Sequence, residues 1–293
     1  MVREQTGFAW TRAKTLCADG RVTIDGERCL DPAFRVPTGA VVVVDRYAPK
    51  VHTSPLAPEA IVFADRDIVV IDKPAGMLSV ADEADNKDTL ADYARTLLRR
   101  MKRGVDGRLG VVHRLDRETS GLIVFTRNPD AKRTMTERFK AHDIERVYHA
   151  IVHGAVHDAV RVETDLTADR GDGLRGSFGH FRPATGNPPA HAKRAITFIQ
   201  PLAELDGATL VECRLETGRQ HQIRIHLSEL GHALIGERVY IRDHRGPRIK
   251  APRPMLHARV LGFAHPRREE VLRFEREPPD DFQGMVAMLR RRP

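Results

Sequence analysis

Cysteine is scarce in this chain. Its three residues, Cys17, Cys29 and Cys213, are odd in number, widely spaced and form no C-x-x-C pair. Neither a disulfide framework nor a cysteine zinc site is expected from them, and a reducing cytoplasm suits them. Long apolar runs are also missing: no stretch nears the roughly 20 residues of a membrane span, and the opening residues lack the basic-then-apolar order of a signal peptide. A soluble chain with no membrane partner is expected. There is no G-x-x-x-x-G-K-[ST] loop and no G-x-S-x-G elbow. GDGLRG, residues 171–176, has dinucleotide spacing, but TADR before it is no apolar strand and FGHFRPATGNPP after it cannot open a helix. Among the 14 histidines, His221 and His226 lack the i, i+4 spacing of helical zinc ligands, and His149 and His153 fall in a strand without a carboxylate partner. Neither a metal nor an organic cofactor is expected.

What is present is size and positive charge. The chain has 293 residues, 41% of them apolar, enough for a large core with a small unit attached. Lysine and arginine number 48 against 40 acidic residues, a formal charge of +8, and the pI is near 9.7. Such a balance favours a polyanion, nucleic acid before anionic membrane.

AWTRAKTLCADG has helical spacing ending at Gly20, RVTIDGERCL alternates around Asp25-Gly26 like a hairpin, and AVVVVD reads as a strand. YAPKVHTSPLAPEA is proline-rich and reads as a linker, placing a boundary near residue 55. Beyond it, IVFADRDIVVIDKPAG gives two short strands. DTLADYARTLLRRM gives an amphipathic helix with Leu90, Ala94, Leu97 and Met101 on one face and Asp88 as N-cap. NPDAKRTMTERFKAH is a helix capped by Asn128, with Pro129 in its first turn. ERVYHAIVHG, HAKRAITFIQPL, GATLVECRLE, PMLHARVLGFAHP and EEVLRFERE are strand-like, and RQHQIRIHLSELG is a helix ended by Gly231. The pattern is α+β: a mixed, largely antiparallel sheet with flanking helices. Residues 167–191, polar and rich in Gly and Pro, read as a mobile surface loop.

VVHRLDRETSGLIVF, residues 111–125, sets five charged or titratable side chains between two apolar runs. Taken alone it is a solvated turn more often than a site. VVIDKPAGMLSV, RVYHAIVHG, LETGRQHQIRIHLSELGHALIGERVY and LHARVLGFAHP accompany it in order, and together they resemble the RluA-type pseudouridine synthases from about residue 61 to 280. H-R-L-D-x-x-T-S-G with T-G-R-x-H-Q-I-R is a highly specific pair. The first fifty residues resemble, less strongly, the small RNA-binding domain of the ribosomal protein S4 type. The resemblance implies an S4-like domain at 1–50, a linker at 51–60 and a pseudouridine synthase catalytic domain at 61–293.

The implied chemistry is isomerisation of uridine in RNA, without metal or cofactor. By resemblance Asp116 is the carboxylate that attacks or assists at the anomeric carbon, Arg219 is its ion-pair partner, and Tyr148 packs on the base and takes the proton from C5. A covalent ester and a glycal route are both compatible with these residues. Arg114 steadies the space left by a flipped base or contacts phosphate, and His113 beside it is a further substrate contact. Gln222, Arg224 and His226 are RNA-facing or supporting candidates on a helix whose Ile223 and Leu227 face the core. Arg12, Lys14 and Arg21 are the implied phosphate contacts of the N-terminal unit. Lys73, Pro74 and Gly76 read as a structural turn. Glu237 stands where aspartate is usual and Arg146 where lysine is usual. The implied partner is ribosomal RNA, with transfer RNA as the alternative, and the chain is expected to act as a monomer. The rival readings are a catalytically retired ribosome-assembly protein and an N-glycosidase, which would need Glu118 to activate water.

Overall fold

The computed structural model describes residues 7, 9–18, 21–29, 34, 36–48, 56–81, 88–101, 109–181, 186–242 and 244–290. The chain divides into two compact units, Met1–Pro55 and Leu56–Pro293. Gly20, expected to end the first helix, and linker residues 49–55 lie outside the described residues.

In the first unit, helix α1 (Trp10–Ala18) accompanies a small sheet of β1 (Val22–Ile24), β2 (Glu27–Arg28) and β3 (Val42–Val44), ordered β2-β1-β3. Asp25 and Gly26 both take positive φ, 51° and 84°, the two-residue turn that suits the twist of an antiparallel hairpin. Leu16, Cys17 and Val22 form its core, with Val42 and Val44 packed on them.

The second unit is built on one sheet. Its strands are β4 (Ile61–Ala64), β5 (Ile68–Lys73), β6 (Gly110–Val111), β7 (Ser120–Thr126), β8 (Glu145–His153), β9 (Val160–Thr167), β10 (Gly176–Ser177), β11 (Lys193–Leu205), β12 (Ala208–Leu215), β13 (Leu256–Ala264) and β14 (Val271–Glu275). They run in the order β10-β9-β11-β12-β8-β13-β7-β5-β4, with β14 on β13 and β6 on β7. The β7–β13 pair is parallel and the other pairs are antiparallel, as the strand reading anticipates.

Helices cover both faces. On one, α2 (Leu90–Arg100) and α4 (Gln222–Glu229) bring Leu90, Leu97, Ile223 and Leu227 onto Ile71, Ile123 and Val211. On the other, α3 (Pro129–Lys140) sets Met135 on Val70, Leu122 and Val124, and α5 (Asp280–Leu289) sets Phe282 on Ile151 and Met255. Double coverage explains why β5 and β7 read as almost unbroken apolar runs.

Asn128 caps α3 by accepting from the Ala131 N–H at 2.9 Å, with Pro129 in the first turn. For α2 the cap moves by one residue. Thr89, not Asp88, accepts from the Asp92 N–H, and its hydroxyl donates back to the Asp92 carboxylate at 2.7 Å. The first part of the 167–191 segment, residues 167–177, is more structured than its composition suggests. Asp169 accepts the N–H groups of Gly171 and Gly173, Arg170 is buried against Asp172, and Gly176–Ser177 pairs with β9. The Gly171 and Gly173 amides of GDGLRG are thus taken by a carboxylate of their own loop.

Candidate active site

The loop carrying Asp116 joins β6 to β7. Because β7 pairs antiparallel with β5, the Lys73–Ser79 turn that leaves β5 lies beside that loop. Fully buried, Lys73 donates through Nζ to the carbonyls of Pro74 (2.9 Å), Met77 (2.8 Å) and Arg117 (2.9 Å). Burial pulls its ammonium down to about 7, against the pull of Glu118 and Asp116. The Gly76 N–H also donates to the Arg117 carbonyl. Ser79 Oγ donates to the Leu115 carbonyl at 2.7 Å and accepts the Leu115 N–H at 3.1 Å. Arg253 donates to the Glu118 carbonyl at 3.1 Å. The backbone is therefore fixed on both sides of Asp116, and Lys73 and Gly76 serve the turn as structural residues.

The cation facing Asp116 is Arg224. Its Nη1 lies 3.3 Å from Asp116 Oδ2, while its Nε and Nη2 donate to Glu237, each at 2.8 Å. Burial works against the Arg224 charge, but Glu237 and Asp116 outweigh it and hold the guanidinium above its ordinary range. Burial would likewise raise Glu237, yet Arg224 and the N–H groups of Val239 and Tyr240 keep it below the usual carboxylate range. A buried bidentate pair of this kind presents a fixed, planar cation to Asp116. His221, in a left-handed conformation at φ 59° ahead of α4, puts Nε2 3.8 Å from Asp116 and bonds Tyr240 Oη through Nδ1 at 2.8 Å.

The assignment of Arg219 as the partner of Asp116 is therefore corrected. Arg219 Nε donates to the Arg194 carbonyl at 2.9 Å, and its N–H donates to Gln222 Oε1 at 2.9 Å. Gln222 also accepts from Thr217, closing the T-G-R turn, so that turn sends Arg219 along β11 while Arg224, within the helix, faces the start of β7. Arg224 is thus a carboxylate clamp and not an RNA-facing side chain. Gln222 and His226 are likewise buried pins: Gln222 Nε2 donates to the Ile196 carbonyl and Thr197, and the His226 ring lies between Thr197 and Thr164. Burial pulls His226 down to about 4, leaving it neutral.

Asp116, Arg219, His221, Gln222 and Arg224 border a cavity of about 640 Å³. Tyr148, Leu215, Ile223 and Leu256 supply its apolar wall, room for a flat base. Burial pushes the Tyr148 phenol up to about 12, so it stays protonated at neutral pH. His113 stacks on Phe139 with centroids 4.7 Å apart and accepts the Val124 N–H through Nε2 at 3.1 Å. Burial drops it to about 3, and a neutral ring occupied in this way forms part of the cavity wall. Arg114 is exposed on the same rim. Asp116 is the one carboxylate among the described lining residues, and Glu118 is not among them, which leaves a glycosidase without its second acid. Asp65, Asp67 and His265 cluster elsewhere, but Asp65 already accepts from His265, Arg268 and the N–H groups of Asp67 and Ile68.

In the first unit, Arg12 and Lys14 are exposed on α1, with Lys14 Nζ 5.2 Å from the Trp10 ring centre, and Arg21 is half-buried before β1. Among the described residues, no helix is long and apolar enough to cross a membrane.

Glu237 and His221 were the functional candidates least visible in sequence. Glu237 registers only as a longer acid in G-E-R-V-Y, thirteen residues past Arg224, and His221 only as a neighbour of Arg219.

Residues 67–229 match the family described as RNA pseudouridylate synthase, and residues 5–42 match the S4 domain. The ribosomal large subunit pseudouridine synthase D of Zymomonas mobilis is 34% identical over 97% of this chain and 90% of its own length. The protein of the same name from Pseudomonas aeruginosa is 32% identical over 93% of this chain and 85% of its own. The solved structure of human RNA pseudouridylate synthase domain containing 4 has the same fold, with a TM-score of 0.62 at 23% identity over 78% of this chain and 92% of that one.

Proposed function

The chain belongs to the RNA pseudouridylate synthase family, and from that premise we propose that it isomerises uridine to pseudouridine in the RNA of the large ribosomal subunit, in the cytoplasm. The observation that carries the reading is the isolation of Asp116. It is the single carboxylate among the described residues lining the cavity, fixed through the carbonyls on either side and faced at 3.3 Å by an arginine that Glu237 holds in place.

In the reaction the bond from C1′ to N1 breaks and one from C1′ to C5 forms. C5 gives up a proton and N1 receives one, so the mass of the RNA does not change. Asp116 serves C1′, where positive charge develops as N1 leaves. Arg224, 3.3 Å from that carboxylate, holds it aimed at the cavity. Tyr148 supplies the flat wall against which the freed base turns, and its phenol is protonated at neutral pH. A base that must meet Asp116 has to leave its stack, and Arg114 on the rim is placed to steady the vacated position.

Large-subunit RNA transcribed without modifications, incubated with the protein and mapped by carbodiimide primer extension, should show new pseudouridine stops and release no free uracil. Uracil release would make the protein a glycosidase. Binding without either product would make it a retired binding protein, and stops on transfer RNA alone would move the substrate.

A further inference from the structure

Arg146, Arg170 and Arg253 are all buried. Arg170 meets Asp172 at 3.1 Å and Arg253 meets Asp281 at 2.6 Å. Arg146 meets no carboxylate among the described residues. Its Nη2 donates to the Glu216 carbonyl at 2.8 Å, its guanidinium lies 5.6 Å from the Phe139 ring centre, and its Nε has no partner. A buried cation without a counter-ion is unfavourable in the free protein, and burial with Arg219 nearby pushes its pKa down. Arg146 precedes Tyr148 by two residues on β8, so both face the same cavity.

The sequence around the guanidinium preserves this space. A Cβ on Gly218 would fall 2.4 Å from Arg146 Nη1, so the glycine of T-G-R leaves room for it. Arg219 follows directly and borders the same cavity, also without a carboxylate partner among the described residues. Among the described lining residues Lys140, Arg146, Arg219 and Arg224 stand with Asp116 as the one carboxylate, and Asp116 is already matched by Arg224. The surplus positive charge lies on the Arg146 side.

We propose that Arg146, with Arg219 beside it, is the seat for a phosphodiester of the bound RNA next to the uridine in the cavity. The inference rests on the reading that the cavity takes a uridine in RNA. A base carbonyl could accept a hydrogen bond there but would leave the charge unanswered. A phosphodiester supplies the charge and two oxygens that match the planar donor fork. The free protein thus holds a buried cation whose counter-ion arrives with the substrate.

The test uses the full chain and an adenosine heptamer carrying one central uridine, made with ordinary linkages or with neutral methylphosphonates on both sides of that uridine. Wild type should bind the charged oligomer about tenfold more tightly than the neutral one, and Arg146→Met should bind both at the weaker level. Arg146→Lys should recover part of the preference. The melting midpoint of Arg146→Met should equal or exceed that of wild type, because an unpaired buried charge has gone. A tenfold preference kept by Arg146→Met would overturn the proposal. So would equal weakening of both oligomers with a lowered midpoint, the behaviour of a structural residue. Conversion of large-subunit transcript is scored separately, so absent pseudouridine with an intact charge preference would count against the proposed reaction and not against this seat.

Discussion

Lys73 Nζ lies 2.9 Å from the carbonyl of Arg117, and this bond ties the end of β5 to the residue that follows Asp116. The same ammonium holds Pro74 and Met77, so its three protons meet three carbonyls. The chain invests a buried charge in the stiffness of one loop.

Lys73→Met should therefore cost roughly 2–4 kcal/mol of stability, since the methionine fills the space and leaves the carbonyls without donors. The pH dependence has a definite sign. The folded chain releases this proton near about 7 and the unfolded chain keeps it to 10.5, so between those values the unfolded state binds more protons and stability from this group rises with pH. Urea melts at pH 6.5 and 9.5 should show the gap between wild type and variant widening at the higher pH, by about 1–3 kcal/mol. A gap that narrows would reverse the assignment.

Asp116→Asn should lower turnover by at least about 10³-fold and leave affinity for structured RNA nearly unchanged, because one carboxylate supplies the chemistry and many cations the binding. Single-turnover assays alongside filter binding would separate the two. Substantial pseudouridine formation by the asparagine variant would end the proposed mechanism.

Arg224→Lys and Arg219→Lys should part company. Lysine at 224 cannot bridge Glu237 and Asp116 with a planar fork and should lose most of kcat, on the order of 10²-fold. At 219 lysine keeps the charge and should act chiefly on KM, by a few fold. Equal effects on kcat would return Arg219 to the side of Asp116.

Gly121→Ala should destabilise the chain by about 3 kcal/mol or more. Gly121 has φ 105°, and a Cβ there would lie 2.3 Å from the Ala258 carbonyl across the parallel β7–β13 pair. Thermal melts would report the loss, and a midpoint within a degree of wild type would show that the pair can spread.

Changing both Arg12 and Lys14 to glutamine should make the dependence of log affinity on log salt shallower by up to about 2, with turnover at saturating RNA unaltered. Both side chains are exposed on α1. An unchanged slope would show that the first unit meets RNA elsewhere or not at all.

Much of the fold was legible because its signals are local. The Asp25-Gly26 turn, the Asn128-Pro129 start of α3 and the apolar alternation of the strands each depend on a few neighbouring residues. That Asp116 and Tyr148 share a cavity was legible because their motifs are specific. The partner of Asp116 was not. Arg219 ends the T-G-R turn and Arg224 follows it, and only the fold of Gln222 over that turn decides that one runs back along β11 while the other reaches Asp116. Spacing alone also left Gln222 and His226 open between RNA-facing and supporting roles. Whether a polar side chain faces solvent or is enclosed depends on what the sheet brings up from far along the chain: Val124 against His113, and Thr197 against Gln222 and His226. Sequence determined the reaction class and the strand pattern. Tertiary structure decided which cations answer a carboxylate and which, like Arg146, are left with their charge unmatched, because ion pairing depends on distance in space and not on spacing along the chain.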